Sequence, residues 1–93
     1  MSLREPNQYH TPCHVVSIID GRRAIPVEFS DLQIAYIYCK NLTTEINRNW
    51  TIKPWETTIQ LLYEYHMEDG SGIDVAKSPH GDVISIFYLE SDT

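Results

Sequence analysis

Basic residues are scarce in this chain, and they are scarcest where the acidic ones gather. Seven Lys and Arg stand against 13 Asp and Glu, a formal net charge of −6. Residues 1–50 balance five basic against five acidic side chains, whereas residues 51–93 set only Lys53 and Lys77 against eight acids. A nucleic-acid backbone is held by clustered Lys and Arg that displace its counterions, so that partner is disfavoured. The acidic second half permits a basic protein partner, or serves solubility alone. Cysteine is nearly absent too. Cys13 and Cys39 cannot build a disulfide scaffold and are read as reduced thiols of a cytoplasmic protein. No apolar run approaches the ~20 residues that span a bilayer. The opening MSLREPNQYHTPCH has no apolar stretch of the kind a secretory leader needs, so neither a membrane span nor secretion is expected. The Asn-x-Thr sequons at Asn41 and Asn49 are then chance matches.

What remains is the composition of an ordinary globular domain, 42% apolar and 22% charged, which argues against disorder. No repeat, low-complexity tract or linker divides the chain, so one domain over 1–93 is expected. Residues 1–11, framed by Pro6 and Pro12, read as an extended or poorly ordered arm.

The stretch SDLQIAYIYCKNLTTEINR (30–48) carries the most complete helix signals. Ser30 is a suitable N-cap, and Gln33 three residues on completes a capping box. Phe29 and Ile34 occupy the positions of a hydrophobic staple, and Asp31 adds negative charge at the positive end of the helix dipole. Leu32, Ala35, Tyr36, Cys39, Leu42, Thr43 and Ile46 recur at three- and four-residue spacing and form one buried stripe. Ile34, Ile37 and Tyr38 fall outside it. Either they are buried on a second side within the domain, or they meet another chain, because large apolar side chains left wet cost roughly 25 cal/mol per Å².

The flanks read as strands. CHVVSII (13–19) is rich in β-branched residues, Asp20-Gly21 is a hairpin turn, and AIPVEF (24–29) returns. The alternation of Ile25, Val27 and Phe29 predicts one buried face, and Pro26 places this strand at a sheet edge. NWTIK (49–53) is a connection. PWETTIQLLYEYHMED (54–69) fits a helix with Pro54 first and Gly70 as terminator, or a strand alternating from Thr57 to Met67; its length favours the helix. IDVAK (73–77) and VISIFYLE (83–90) are strands about the turn SPHGD, the second apolar on both faces and so central. The predicted fold is α+β and two-layered. A small antiparallel or mixed sheet carries helices on one face, in the order ββααββ, with ββαβββ as the alternative.

Candidate chemistry is sparse. His10, Cys13 and His14 are the densest possible soft ligands, yet a zinc site needs a fourth group, and adjacent strand residues point to opposite faces. Ser78, His80 and Asp82 lie within five residues but are common turn formers. Glu64, Glu68, Asp69, Ser71 and Asp74 make an oxygen-rich loop without the spacing of a calcium-binding one. No catalytic or cofactor-binding residue is therefore assigned, and no metal beyond the candidate trio. The expectation is a non-enzymatic interaction or regulatory protein, a homodimer or the partner of another protein, with Ile34, Ile37, Tyr38 and Trp50 at the interface. The alternative is a small ligand- or metal-binding domain, or an enzyme, using His and Cys residues in a cleft between sheet and helices.

Overall fold

Asp20 and Gly21 both take positive φ, 56° and 76°, and this pair of left-handed conformations starts the sheet. Two such residues make the turn whose twist matches that of the strands it joins, and Asp-Gly tolerates it best. The computed structural model describes residues 12–65 and 72–88. In it β1 (Cys13–Ile19) turns through Asp20-Gly21 into β2 (Arg22–Arg23), with Ile19 opposite Arg22. The return strand then slips. Ala24 donates to the Ser17 carbonyl at 2.9 Å, yet Val27 pairs with Val15, so Val16 alone faces both Ile25 and Pro26. This extra residue is a β-bulge at the proline, which has no N–H to give to the ladder. Pairing resumes in β3 (Val27–Phe29).

The bulge corrects the expected burial of this strand. Ile25 is 85% exposed and Val27 38%, and only Phe29 reaches the core, packing its ring 5.2 Å from Tyr38. The edge position expected from Pro26 is as predicted.

Helix α1 (Leu32–Glu45) follows, one residue later than expected. Asp31, not Ser30, is the N-cap: its Oδ1 accepts from the N–H of Gln33 at 2.8 Å and of Ile34 at 3.3 Å. The capping box and the staple are therefore absent. With Asp31 as cap the third helical residue is Ile34, which cannot bond back, and Phe29 goes to Tyr38 instead. A carboxylate caps better than a hydroxyl at this end because its charge meets the helix dipole as well as two orphan N–H groups. At the other end the Trp50 indole N–H donates to the Ile46 carbonyl and satisfies one of the orphan acceptors there.

The segment expected to be only a connection contains β4 (Thr51–Ile52), which pairs with Lys77 and Ala76. Helix α2 (Trp55–Tyr65) is the helix expected here, starting one residue after Pro54, whose carbonyl accepts from the Thr58 N–H at 2.9 Å. Residues 66–69 of the expected helix lie outside the described residues. Strands β5 (Gly72–Lys77) and β6 (Val83–Tyr88) complete an antiparallel sheet of order β2-β1-β6-β5-β4, with β3 continuing the β2 edge against β1. β6 is interior, as its two apolar faces implied. The observed order, βββαβαββ, contains the predicted ββααββ, with β3 as the expected return strand, plus the short β2 and β4.

Both helices lie on one face. Cys13, Val15, Ile73, Val75, Ile84 and Ile86 from the sheet meet Leu32, Ala35, Tyr36 and Cys39 of α1 and Leu62 of α2, all buried. A shift in register between Asp74 and Ala76 turns both Val75 and Ala76 into this core. Fully burying one such aliphatic side chain contributes about 1.5–3 kcal/mol. The opposite face carries His14, Val16, Ser85 and Phe87. There the His14 and Phe87 rings stack at 5.5 Å, and the Phe87 ring lies over Gly72 so closely that a Cβ at that position would overlap it.

Candidate functional site

The outer face of α1 is the first place where the fold leaves something unexplained. Its buried stripe is Leu32, Ala35, Tyr36, Cys39 and Thr43. Ile34 and Ile37 lie opposite, one turn apart, and are 55% and 50% exposed. A helix turns about 100° per residue, so Asn41 and Thr44 continue the same face, and both are exposed. Lys40 and Glu45 are the charged residues of the helix. The same steps put exposed Glu45, one turn past Asn41, on this face and exposed Lys40 at its margin, so the two wet isoleucines hold its N-terminal half and the charges its C-terminal half. Of the other two residues expected beside them, Tyr38 is half-buried against Phe29 and Trp50 is half-buried against the core, with its indole tied to Ile46. The structure thus separates the four: two project outward, and two are chiefly packing.

The soft-ligand candidates are not brought together. Cys13 is fully buried on the helix side, while His14 stacks on Phe87 on the other face; His10 and His66 lie outside the described residues. Among the described residues no three His, Cys, Asp or Glu side chains group as a metal site would require. Burial pushes the Cys13 thiol up to about 12, with the Asp31 charge adding to it. Burial likewise pushes the Cys39 thiol up to about 12, with Cys13 contributing. A thiol this far above neutrality is not a thiolate and hence no nucleophile.

A polar cluster escaped the sequence reading. Asp82 is 1% exposed, yet its carboxylate is fully engaged. Its Oδ1 accepts from the Asp20 N–H at 2.9 Å, and its Oδ2 accepts from Ser78 Oγ at 2.6 Å and Arg48 Nη1 at 3.0 Å. Arg48 also forks onto Asp20, Nη1 to Oδ1 at 2.9 Å and Nη2 to Oδ2 at 3.1 Å. The Ser78 hydroxyl and the Asp20 amide, followed by Arg48, hold the Asp82 carboxyl down at about 2 despite burial. Asp20 is lowered by the same arginine, and Arg48 is raised by its two carboxylates. Three connections are fastened here: the β1–β2 turn, the β5–β6 turn and the segment after α1. His80 touches Ser78 through its backbone N–H at 3.1 Å, so Ser78, His80 and Asp82 form a turn rather than a catalytic relay. The one available signal was an aspartate set directly before the apolar strand VISIF; partners 34 and 62 residues away cannot be read from spacing.

A cavity of about 550 Å³ opens beside β4 and β5. Residues Thr51 to Pro54, Asp74, Val75 and Lys77 to Pro79 line it. It lies along the β4 edge, away from the sheet–helix core where a His/Cys cleft was anticipated. Of the acidic loop considered for calcium, Glu68, Asp69 and Ser71 lie outside the described residues. Asp74 belongs to β5, where it accepts from Ser85 Oγ at 2.8 Å and pairs with Lys77 at 3.6 Å.

The fold defines a two-layer α+β domain whose helices cover one face of an antiparallel sheet. No protein-family model, curated protein or solved structure matches the chain. Among the described residues no helix is long and apolar enough to cross a membrane.

Proposed function

We propose that this chain is an interaction protein that works by pairing through the outer face of α1, and that a second copy of itself is the partner. The observation that carries this is the exposed Ile34–Ile37 pair on the outer face of α1, with the helix charges Lys40 and Glu45 toward its C-terminal end. Two copies of net charge −6 repel wherever their acidic surfaces approach. The isoleucine end of the α1 face is where they can meet at reduced cost, and a two-fold axis would bring the isoleucines of one copy onto those of the other. Covering the remaining exposed half of four isoleucines gives roughly 1 kcal/mol each. These roughly 4 kcal/mol correspond to dissociation on the order of 1 mM before the entropy of association is counted, so the contacts around the isoleucines must offset that entropy and the dimer is weak. The two free, buried thiols fit the reducing cytoplasm in which we place the protein.

Light scattering and sedimentation across a concentration series up to about 1 mM test the reading over the affinity range argued above. The expected result is a mass that rises from monomer toward dimer, and that stays monomeric for Ile34→Lys and Ile37→Glu with unchanged far-ultraviolet circular dichroism. A wild-type chain that remains monomeric throughout would exclude self-pairing. Variants that associate as the wild type does would exclude this face.

A further inference from the structure

Lys53 is a half-buried charge with no counterion among the described residues. It follows β4, where its N–H donates to the Val75 carbonyl at 2.8 Å, and its side chain is drawn inward, half-buried, along the wall of the 550 Å³ cavity. Its ammonium donates to the Asp74 carbonyl oxygen at 2.8 Å. No carboxylate lies within ion-pair distance of it among the described residues, although the chain has nearly twice as many acids as bases. A partly desolvated ammonium normally finds an anion, and it has three donors to satisfy. Lys77, on the same cavity wall, rests 3.6 Å from the Asp74 carboxylate on a side chain 61% exposed, a loose pairing that can open. The two lysines that seemed stranded in an acidic half-chain therefore face one cavity.

We infer that this cavity is a binding site for a small organic anion, a single carboxylate on an apolar body. Two ammoniums against the one carboxylate of Asp74 leave one positive charge, which matches a monoanion better than a phosphate dianion. Ile52, Pro54 and Pro79 supply apolar wall for the body of the ligand. Lys53 pairs with the ligand carboxylate while keeping its bond to the Asp74 carbonyl, and Lys77 swings from Asp74 to join it. The site is separate from the α1 face and stands or falls independently of dimerisation.

Benzoate is the probe, followed by amide chemical shifts in the full chain, with inorganic phosphate and benzyl alcohol as comparison ligands. The expected result is saturable binding on the order of 1 mM or weaker. Its shifts should be confined to residues 51–53 and 74–78, and phosphate and the alcohol should bind more weakly. Lys53→Gln should weaken benzoate binding at least about fivefold, as loss of a partly desolvated ion pair implies, while leaving the rest of the amide spectrum in place. Phosphate binding more tightly than benzoate would overturn the ligand class. Shifts that do not saturate, or that persist unchanged in both Lys53→Gln and Lys77→Gln, would overturn the site.

Discussion

Thr58 shows how a single side chain can be at odds with an otherwise consistent core. It is fully buried on α2, and its Oγ1 has no hydrogen-bond partner among the described residues, while its N–H makes the ordinary helical bond to the Pro54 carbonyl at 2.9 Å. A buried hydroxyl left unpaired costs about 1–3 kcal/mol. Valine has nearly the same shape and a similar helix propensity. Thr58→Val should therefore stabilise the fold by about 1 kcal/mol, raising the melting midpoint by roughly 4–8 °C. Urea titration with an unchanged slope would check it. A variant no more stable than the wild type would mean that the hydroxyl is satisfied, by a water for instance. Tyr36 shows the opposite case. Its hydroxyl donates to the Lys53 carbonyl at 2.6 Å and its ring meets Trp55 edge-on at 5.3 Å, so one side chain fixes the path from α1 into α2. Burial also raises the pKa of that phenol, which keeps it a donor.

Among the elements, the start of α1 separates two caps that differ by one residue. Asp31→Ala should cost about 1 kcal/mol, because its carboxylate serves two backbone N–H groups. Ser30→Ala should stay within about 0.5 kcal/mol, as an exposed position outside the cap does. Equilibrium unfolding of both variants decides between them, and the reverse order would restore the Ser30 cap. The difficulty at this boundary is general. Adjacent Ser and Asp offer the same kind of acceptor, and spacing alone cannot rank them. Elsewhere the elements were well marked. The Asp20-Gly21 turn was legible because few residues accept two successive positive φ angles, and the buried stripe of α1 because its period runs through four turns. The burial of Ile25 was misread because alternation assumes an unbroken ladder, and the bulge beside Pro26 shifts the register by one. β4 escaped because two residues carry no period. Of the candidate site, Ile34 and Ile37 were legible as surplus to the stripe. The cavity beside β4 and β5 was not, since it depends on a strand pairing that no local pattern announces.

At the scale of the whole molecule, charge is arranged on two levels, one within the fold and one between copies. Within the fold, Asp82 ties both hairpin turns to Arg48. Its folded pKa, about 2, lies below the 3.8 of an unperturbed carboxyl, so the ionised form is the one that folding favours. The stability it contributes is fully present above the unfolded value and is lost as pH falls from there through the folded value. Asp20, lowered through Arg48, shifts in the same sense. The urea midpoint of the wild type should therefore fall between about pH 4 and pH 2, and the gap separating it from Asp82→Asn should close over the same interval. A gap of constant width would mean that packing, rather than ionisation, makes Asp82 matter. Between copies, the sign of the salt effect tests how they meet. If the Ile34–Ile37 end of α1 is the contact, each copy brings its net charge of −6 toward the other. Screening that repulsion helps: the Debye length falls from about 10 Å at 0.1 M salt to about 3 Å at 1 M. Self-association should tighten as sodium chloride rises from about 0.02 M to about 0.5 M, and sedimentation equilibrium would show it. Weakening with salt would instead mean that the acidic half of one copy docks on basic side chains of the other. The isoleucine face would then need a different partner.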